Sequence, residues 1–198
     1  MGIGFPTAQI ESREYLAEAL IEAAVARLEA DGAEALSLRE LARDVGVNHR
    51  AVYRHFPDKL SLLAQVAEEG WRRMERRVRQ QIAGKPAGEQ MLVAAGIGFF
   101  LFARDNPNLF GLMAGPRVNL KGAFPGLEAA MAETMAMFHQ PFIDSGIEPG
   151  LGRVRAALFL SALQGVTTQI LHGRLHVSRG KARDFVANTC TMLFKGLR

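Results

Sequence analysis

Apolar residues recur at three- and four-residue intervals through most of this chain, and few windows show the strict alternation of a strand. In the first such segment, Leu16, Leu20, Ala24 and Leu28 share one helix face, and Gly32 is expected to end that helix as a left-handed cap. The same pattern predicts helices at about 38–45, 49–56, 58–82, 89–105, 127–145, 151–175 and 179–197, with a short one opening at Pro107. The sequence therefore predicts an all-α protein.

Several classes of protein are excluded by what the sequence lacks. With one cysteine, Cys190, the chain can form neither an internal disulfide framework nor a zinc site of clustered cysteines. Its longest apolar run, residues 91–103, is shorter than the ~20 residues that span a bilayer. Residues 1–6 do not have the basic start of a signal peptide. We therefore expect a cytoplasmic protein with no membrane contact.

Catalysis is not expected either. The sequence has no Gly-rich phosphate loop, no His/Glu metal spacing and no Gly-x-Ser-x-Gly elbow. His139, His172 and Cys190 are too scattered along the chain to suggest a nucleophile site. We expect no enzyme, no metal and no cofactor.

Residues 37–59 combine two short predicted helices with a glycine turn and a local excess of positive charge. Ser37 and Glu40 have the spacing of a capping box that would open the first helix. Gly46 would end this helix, and Asn48 can cap the next one. Two helices joined in this way form a helix-turn-helix, whose second helix enters the major groove of DNA.

The apolar positions of this segment predict a small shared core, formed by Leu38, Leu41, Val45, Val47, Val52 and Phe56. The polar residues between them are then left outside. Arg can pair bidentately with guanine and Asn with adenine, while the methyl group of Ala51 can meet thymine. Tyr, His and Lys can bond phosphates, which positions a protein without reading sequence.

The residue order is more specific than this pattern. Residues 38–59 read LRELARDVGVNHRAVYRHFPDK, and their Arg-Glu-Leu-Ala, Gly-Val and Tyr-Arg-His-Phe-Pro-x-Lys pieces stand at the spacing found in TetR-family transcriptional regulators. The preceding RLEADG resembles the end of that family's first helix, so the resemblance covers about residues 19–63. It implies a three-helix helix-turn-helix domain at 8–57, joined to a helical ligand-binding and dimerisation domain at 58–198.

The resemblance also implies which residues meet double-stranded DNA. The residues that open the recognition helix, Asn48, His49, Arg50 and Ala51, are expected to contact base edges. Phosphates fall to Tyr53, His55 and Lys59, together with Ser37 and Arg39, because free amides at a helix start favour anions. A partly buried histidine that holds the helix junction is an equal alternative for His55.

Large, soft side chains are concentrated in residues 91–142, and Met and Phe line adaptable apolar cavities. Each of them could also be ordinary core. We expect a small apolar or aromatic ligand contacted by Phe99, Phe102, Phe110, Met113, Met131, Met135 and Phe138. Gln164, Thr168 and His172, at successive i+4 steps, could orient this ligand or form a hydrogen-bond ladder in a dimer seam. His139 and Thr167 are further polar candidates.

The last two predicted helices are the expected dimer interface. Their stripes are formed by Phe159, Leu163, Val166, Ile170 and Leu171 on one helix and by Phe185, Val186, Met192, Leu193 and Leu197 on the other. A homodimer would present two recognition helices to a pseudo-palindromic operator. The resemblance implies a repressor that a ligand releases from DNA. A DNA-binding protein without a ligand and a ligand-responsive activator are the alternatives.

Overall fold

In a computed structural model of the chain, residues 13–197 are described, and they form helices with no strand among them. The α-helices are α1 (Arg13–Ala35), α2 (Leu38–Val45), α3 (His49–His55), α4 (Lys59–Ile82), α5 (Glu89–Asp105), α6 (Pro107–Ala114), α7 (Pro125–Asp144), α8 (Pro149–Leu171) and α9 (Ala182–Leu197). A 3-10 turn, Arg179–Lys181, precedes α9. The predicted all-α class is confirmed.

The chain divides into two compact units. The first contains the described residues up to Gly70 together with Asn108–Glu128, and the second contains Trp71–Pro107 and the residues from Ala129 onward. The chain therefore crosses between units inside α4, at the start of α6 and inside α7. The functional boundary expected at residues 57 and 58 stays a prediction.

The first unit is built around the apolar faces of α1, α2 and α3. Leu41, Val52 and Phe56 are fully buried, as the sequence predicts for the shared core, and so is Leu20 on the apolar face of α1, whereas Val47 is half-buried. At Gly46 the backbone is left-handed (φ 75°, ψ 30°), and the amide of Val47 donates to the carbonyl of Ala42 at 2.9 Å. This turn ends α2 and redirects the chain into α3.

Two local predictions in this unit are wrong. Gly32 has φ 80° but ψ 168°, an extended conformation open almost only to glycine, so the chain kinks there and helical residues continue to Ala35. The capping box does not form, because the Ser37 side chain makes no capping hydrogen bond. Glu40 instead forms an ion pair with Arg27 of α1.

The second unit has an aromatic core. Phe138 meets Phe99 edge to face with ring centroids 6.2 Å apart, and Phe159 lies against both Phe138 and Phe142. Phe142 also lies against Phe194, with centroids 5.4 Å apart. Aromatic pairs at such distances add to the burial of the rings themselves. These contacts join α5, α7, α8 and α9.

Glycine allows α5 to pack closely in this unit. A Cβ on Gly96 would come 2.4 Å from the Sγ of Cys190, and a Cβ on Gly98 would come 2.9 Å from the Cα of Val78. Cys190 is fully buried, and burial raises the pKa of its thiol to about 12. Its position is that of a packing residue.

The end of α8 departs from the predicted helix at 151–175. The helix ends at Leu171, and His172 is its C-cap residue. Among the described helices, α8 is long and apolar enough to cross a membrane by length and composition, and little of it is buried within this chain. An apolar face that packs against another protein surface meets the same criterion.

The Gly46→Ala substitution tests the turn between α2 and α3. No atom lies within 4 Å of the added Cβ, so the expected loss of about 1 kcal/mol in the free energy of unfolding comes from the left-handed backbone alone. Gly111→Ala is the matched control, because Gly111 lies in open space inside α6, where alanine should stabilise by up to ~1 kcal/mol. Urea unfolding curves that coincide for Gly46→Ala and the parent chain would contradict this account.

Candidate functional site

The start of α3 is fixed by a local hydrogen bond. The side-chain oxygen of Asn48 accepts from the backbone amide of Arg50 at 2.9 Å, so the predicted N-cap is confirmed. A bidentate pair with adenine would need both the oxygen and the nitrogen of this amide group. While Asn48 caps α3, its oxygen already accepts one bond, so its nitrogen is the atom that stays wholly available to meet a base.

The outer face of α3 carries the residues expected to read bases. His49 and Arg50 are exposed, Ala51 is half-buried, and Tyr53 is 44% exposed. The rings of His49 and Tyr53 meet edge to face, with centroids 6.4 Å apart. This contact orders the two side chains beside Arg50 on one solvent-facing surface.

A surface groove of about 600 Å³ runs between α2 and the start of α3. It is lined by Arg39, Ala42, Arg43, Val47, Asn48 and His49. The groove therefore joins a predicted phosphate contact, Arg39, to two predicted base contacts. Sequence reasoning does not assign Arg43, although its position one turn after Arg39 is the signal that could have found it.

The other predicted phosphate contacts are more constrained. Ser37 is half-buried at the start of α2. His55 is half-buried with its ring 6.2 Å from that of Phe56. The Nζ of Lys59 donates to the carbonyl of Glu34 at 2.8 Å, which ties α4 to the end of α1. An ammonium has three donors, so this bond leaves Lys59 able to meet a phosphate as well.

One arginine on α1 fixes α2. The Nη2 of Arg27 donates to Asp44 at 3.0 Å, its Nε donates to the same carboxylate, and its Nη1 donates to Glu40 at 3.2 Å. A guanidinium suits such a two-point contact with a carboxylate. Donation from Arg27 lowers the pKa of Asp44, and the same bond raises the pKa of Arg27.

Residues at the end of α1 hold the segment 108–128 in the first unit. The carboxylate of Glu29 accepts from the amides of Leu109 at 2.7 Å and Asn108 at 3.4 Å, so it caps the start of α6. Glu34 forms an ion pair with Arg117, which lowers the pKa of Glu34. The sequence separation of about 80 residues explains why no local pattern predicts these contacts.

The residues predicted to contact a ligand are divided between the two units. Phe110 and Met113 are buried in the first unit, where Met113 lies close to Gly70. In the second unit, Phe99, Phe102 and Phe138 are buried core residues, and His172 is exposed beyond the end of α8. Met131, Met135 and Thr168 are half-buried there, and Gln164 is exposed.

Two of these residues meet at a second groove, of about 510 Å³, on the surface of the second unit. This α7–α8 groove is lined by Ala132, Met135, Ala136 and His139 of α7 and by Arg153, Ala156, Ala157, Leu160, Ser161 and Gln164 of α8. Met135 and Gln164 are the predicted members. The groove is a candidate site for a small ligand.

Part of the first unit matches a known protein family, and the fold of the chain matches solved structures. Residues 20–66 match the sequence model of a family described as bacterial regulatory proteins, tetR family. A solved structure of a protein with unknown function from Rhodococcus sp. RHA1 is similar at a TM-score of 0.78 and 27% identity, over 91% of this chain and 94% of that one.

Two further structures share the fold at lower identity. One is a variant of TetR from Acinetobacter baumannii AYE in complex with minocycline, with a TM-score of 0.66 and 18% identity over 89% of this chain and 93% of that one. The other is the fatty acid degradation regulator FadR from Bacillus halodurans, with a TM-score of 0.65 and 16% identity over 92% of this chain and 96% of that one.

The contact of Arg27 with Asp44 predicts a pH-dependent stability. Because the pKa of Asp44 is lowered from 3.8, the contact stabilises the folded chain fully above about pH 4 and is lost as the pH falls through the lowered value. Arg27→Gln should lower the free energy of unfolding by roughly 0.5–1 kcal/mol at pH 7, with a smaller effect near pH ~2. Urea unfolding at both pH values measures this.

Arg43→Gln is the control for Arg27→Gln, because Arg43 forms a longer ion pair of 3.6 Å with Glu40, is mostly exposed, and contributes least to the lowered pKa of Asp44. It should change stability by less than ~0.3 kcal/mol at either pH. The two variants could instead lose equal free energy of unfolding, or the loss for Arg27→Gln could stay the same at both pH values. Either result would show that the two-point contact of Arg27 with Asp44 does not stabilise the domain.

Proposed function

We propose that this chain, whose residues 20–66 form the DNA-binding domain of the TetR family of bacterial regulatory proteins, is a cytoplasmic homodimeric repressor of transcription. The described part of the chain has a TetR-like fold, similar over 89% of the chain to the TetR variant from Acinetobacter baumannii AYE. The observation that carries the proposal is the outer face of α3, where Arg50 stands exposed beside the paired rings of His49 and Tyr53. Such a surface fits the major groove.

The proposed DNA contacts follow from the donors that remain available. Arg50, His49 and the methyl group of Ala51 would meet base edges, and Asn48 would add a single amide contact. Phosphates would be met by Arg39 and Arg43 in the groove beside α2, and by Tyr53, Lys59, Ser37 and His55 around it. Phosphate contacts fix the register of α3, and base contacts select the sequence.

The dimer interface is proposed on a face of α8 and α9 that differs in part from the predicted stripes. Phe159, Leu163 and Val186 are fully buried in this chain, so their assignment to the interface is wrong. The apolar side chains left exposed are Leu151, Val154 and Leu158 of α8 and Phe185 and Met192 of α9. Leu151, Val154 and Leu158 recur at i, i+3 and i+7 on one face of α8, and such an exposed apolar stripe favours a second copy as the partner.

The proposed response to a ligand depends on where the chain crosses between the units. The chain crosses between the units within α4, at the start of α6 and within α7, so these three segments join the second unit covalently to the first. Glu29 and Glu34 hold residues 108–128 against α1, so movement of this segment would act on α1. Because Arg27 of α1 also contacts α2, such a movement would reach α2 as well. A ligand that binds the two resulting states differently would shift the dimer off its operator.

Selection from random double-stranded DNA at near-physiological salt tests the function directly, because non-specific binding weakens as the salt concentration rises. An enriched inverted repeat is expected. Arg50→Ala should then lower affinity by ~1–3 kcal/mol and relax the preference at one symmetric pair of bases. Arg39→Ala should weaken the binding of all DNA sequences alike. Selection without enrichment, in the absence of added ligand, would contradict sequence-specific regulation.

Leu158→Glu tests the dimer face, because its side chain is 54% exposed in this chain and a charge there would be buried against a second copy. Sedimentation should show a dimer for the parent chain and a monomer for this variant. Leu120→Glu is the control, since Leu120 is 46% exposed in the loop of the first unit. A dimer that persists in Leu158→Glu places the interface elsewhere.

Repression and activation are distinguished by where the operator lies relative to the promoter. Deleting the gene for this protein should raise expression from a promoter that carries the selected repeat if the protein is a repressor, and lower it if the protein is an activator. A protein without a ligand response would bind the repeat equally under all conditions. We favour the ligand-released repressor because the second unit offers a small-molecule groove whose lining includes two of the predicted contacts, Met135 and Gln164.

A further inference from the structure

The α7–α8 groove exists because the facing residues are small. On the inner side, Phe138, Phe142 and Phe159 bring the two helices into contact. On the outer side, four alanines, two from each helix, line the groove and leave space that larger side chains would fill. The apolar part of the lining is completed by Met135 and Leu160. This surface suits an apolar body.

The described lining of the groove carries a positive charge and no negative one. Arg153 is the cation of its lining, and no carboxylate is among the described lining residues. The carboxylate of Glu148, which Arg153 influences electrostatically, is already occupied by the amides of Gly150 and Leu151 at 2.8 and 2.9 Å. Among the described residues Arg153 forms no ion pair, so its guanidinium is available to an external anion.

The polar groups stand at opposite ends of the groove. Arg153 lies beside His139, whose Nε2 is 3.1 Å from the carbonyl of Pro149 at the start of α8. Ser161 and Gln164 lie toward the other end. At 1.5 Å per residue, Arg153 and Gln164 are about 16 Å apart along α8. An elongated molecule with its charge at one end matches this order.

We propose that the ligand of this regulator is an apolar organic acid, bound in the α7–α8 groove with its carboxylate on Arg153 and its apolar body over the alanines. This deepens the proposed function and rests on it, because it gives the chemical class of the ligand that releases the dimer. Bidentate pairing suits guanidinium and carboxylate. The apolar body supplies most of the contact area, as in other small-molecule sites.

Calorimetric titration with decanoate, decanamide and decylamine, all below their micelle concentrations, tests the class of ligand. Decanoate should bind at least about tenfold more tightly than decanamide, as expected for a hydrogen bond to a charged group, and decylamine should bind most weakly. Equal affinities for the acid and the amide would overturn the proposal, and so would the absence of decanoate binding.

Two variants locate the site. Arg153→Gln should reduce the affinity for decanoate to that for decanamide, whereas Arg155→Gln, on the same helix and outside the groove lining, should leave the preference intact. Ala132→Phe should block all three probes, and its exposed position on α7 lets the fold survive, which circular dichroism checks. A preference for decanoate over decanamide that survives Arg153→Gln, or binding of any probe that survives Ala132→Phe, would overturn the assignment.

The same variants separate this proposal from its rivals. If Ala132→Phe converts the dimer to a monomer in sedimentation, the groove belongs to the contact between copies and the ligand assignment fails. DNA selection is read independently of decanoate binding. An enriched repeat without a preference for decanoate would support the regulatory function and contradict the proposal that the ligand is an organic acid. An acid preference that Arg153→Gln abolishes, without any enriched repeat, would keep the site and remove the function.

Discussion

The direction of α3 depends on the left-handed turn at Gly46, and the proposed reading of DNA depends on the direction of α3. The turn works because a glycine adopts this conformation without strain and because Val52 and Phe56 then fall into the core formed with Leu41. The polar side of α3 is left facing solvent as a consequence of burying the apolar side. Recognition residues are thus positioned by packing rather than by their own contacts.

The last three turns of α1 connect α2 and α3 to the rest of the first unit. Arg27 holds α2 through two carboxylates, while Glu29 and Glu34 hold the inserted residues 108–128. Each contact is partly exposed and individually weak, so the arrangement can shift at a low energetic cost. The buried Leu38, Leu41 and Val45 also hold α2, so these polar contacts do not fix its position alone.

The sequence predicts the helices and the helix-turn-helix core well, because both depend on local periodicity, glycine and capping residues such as Gly46 and Asn48. It fails where a distant partner outcompetes a local one. Glu40 has the spacing of a capping box, yet a carboxylate gains more from the guanidinium of Arg27 than from a backbone amide. The ligand residues are harder still, because a buried Phe138 and a groove-lining Met135 follow the same helical pattern.

The exposed surface of α8 shows why composition alone does not settle what covers a helix. Its side chains divide into a core stripe with Phe159 and Leu163, a groove stripe with Arg153 and Leu160, and an exposed apolar stripe with Leu151 and Leu158. A membrane would cover the last two together and would have to accept Arg153 in its interior, at a cost of a few kcal/mol. A small acid in the groove and a second copy on the apolar stripe satisfy both surfaces separately, and they leave the guanidinium paired.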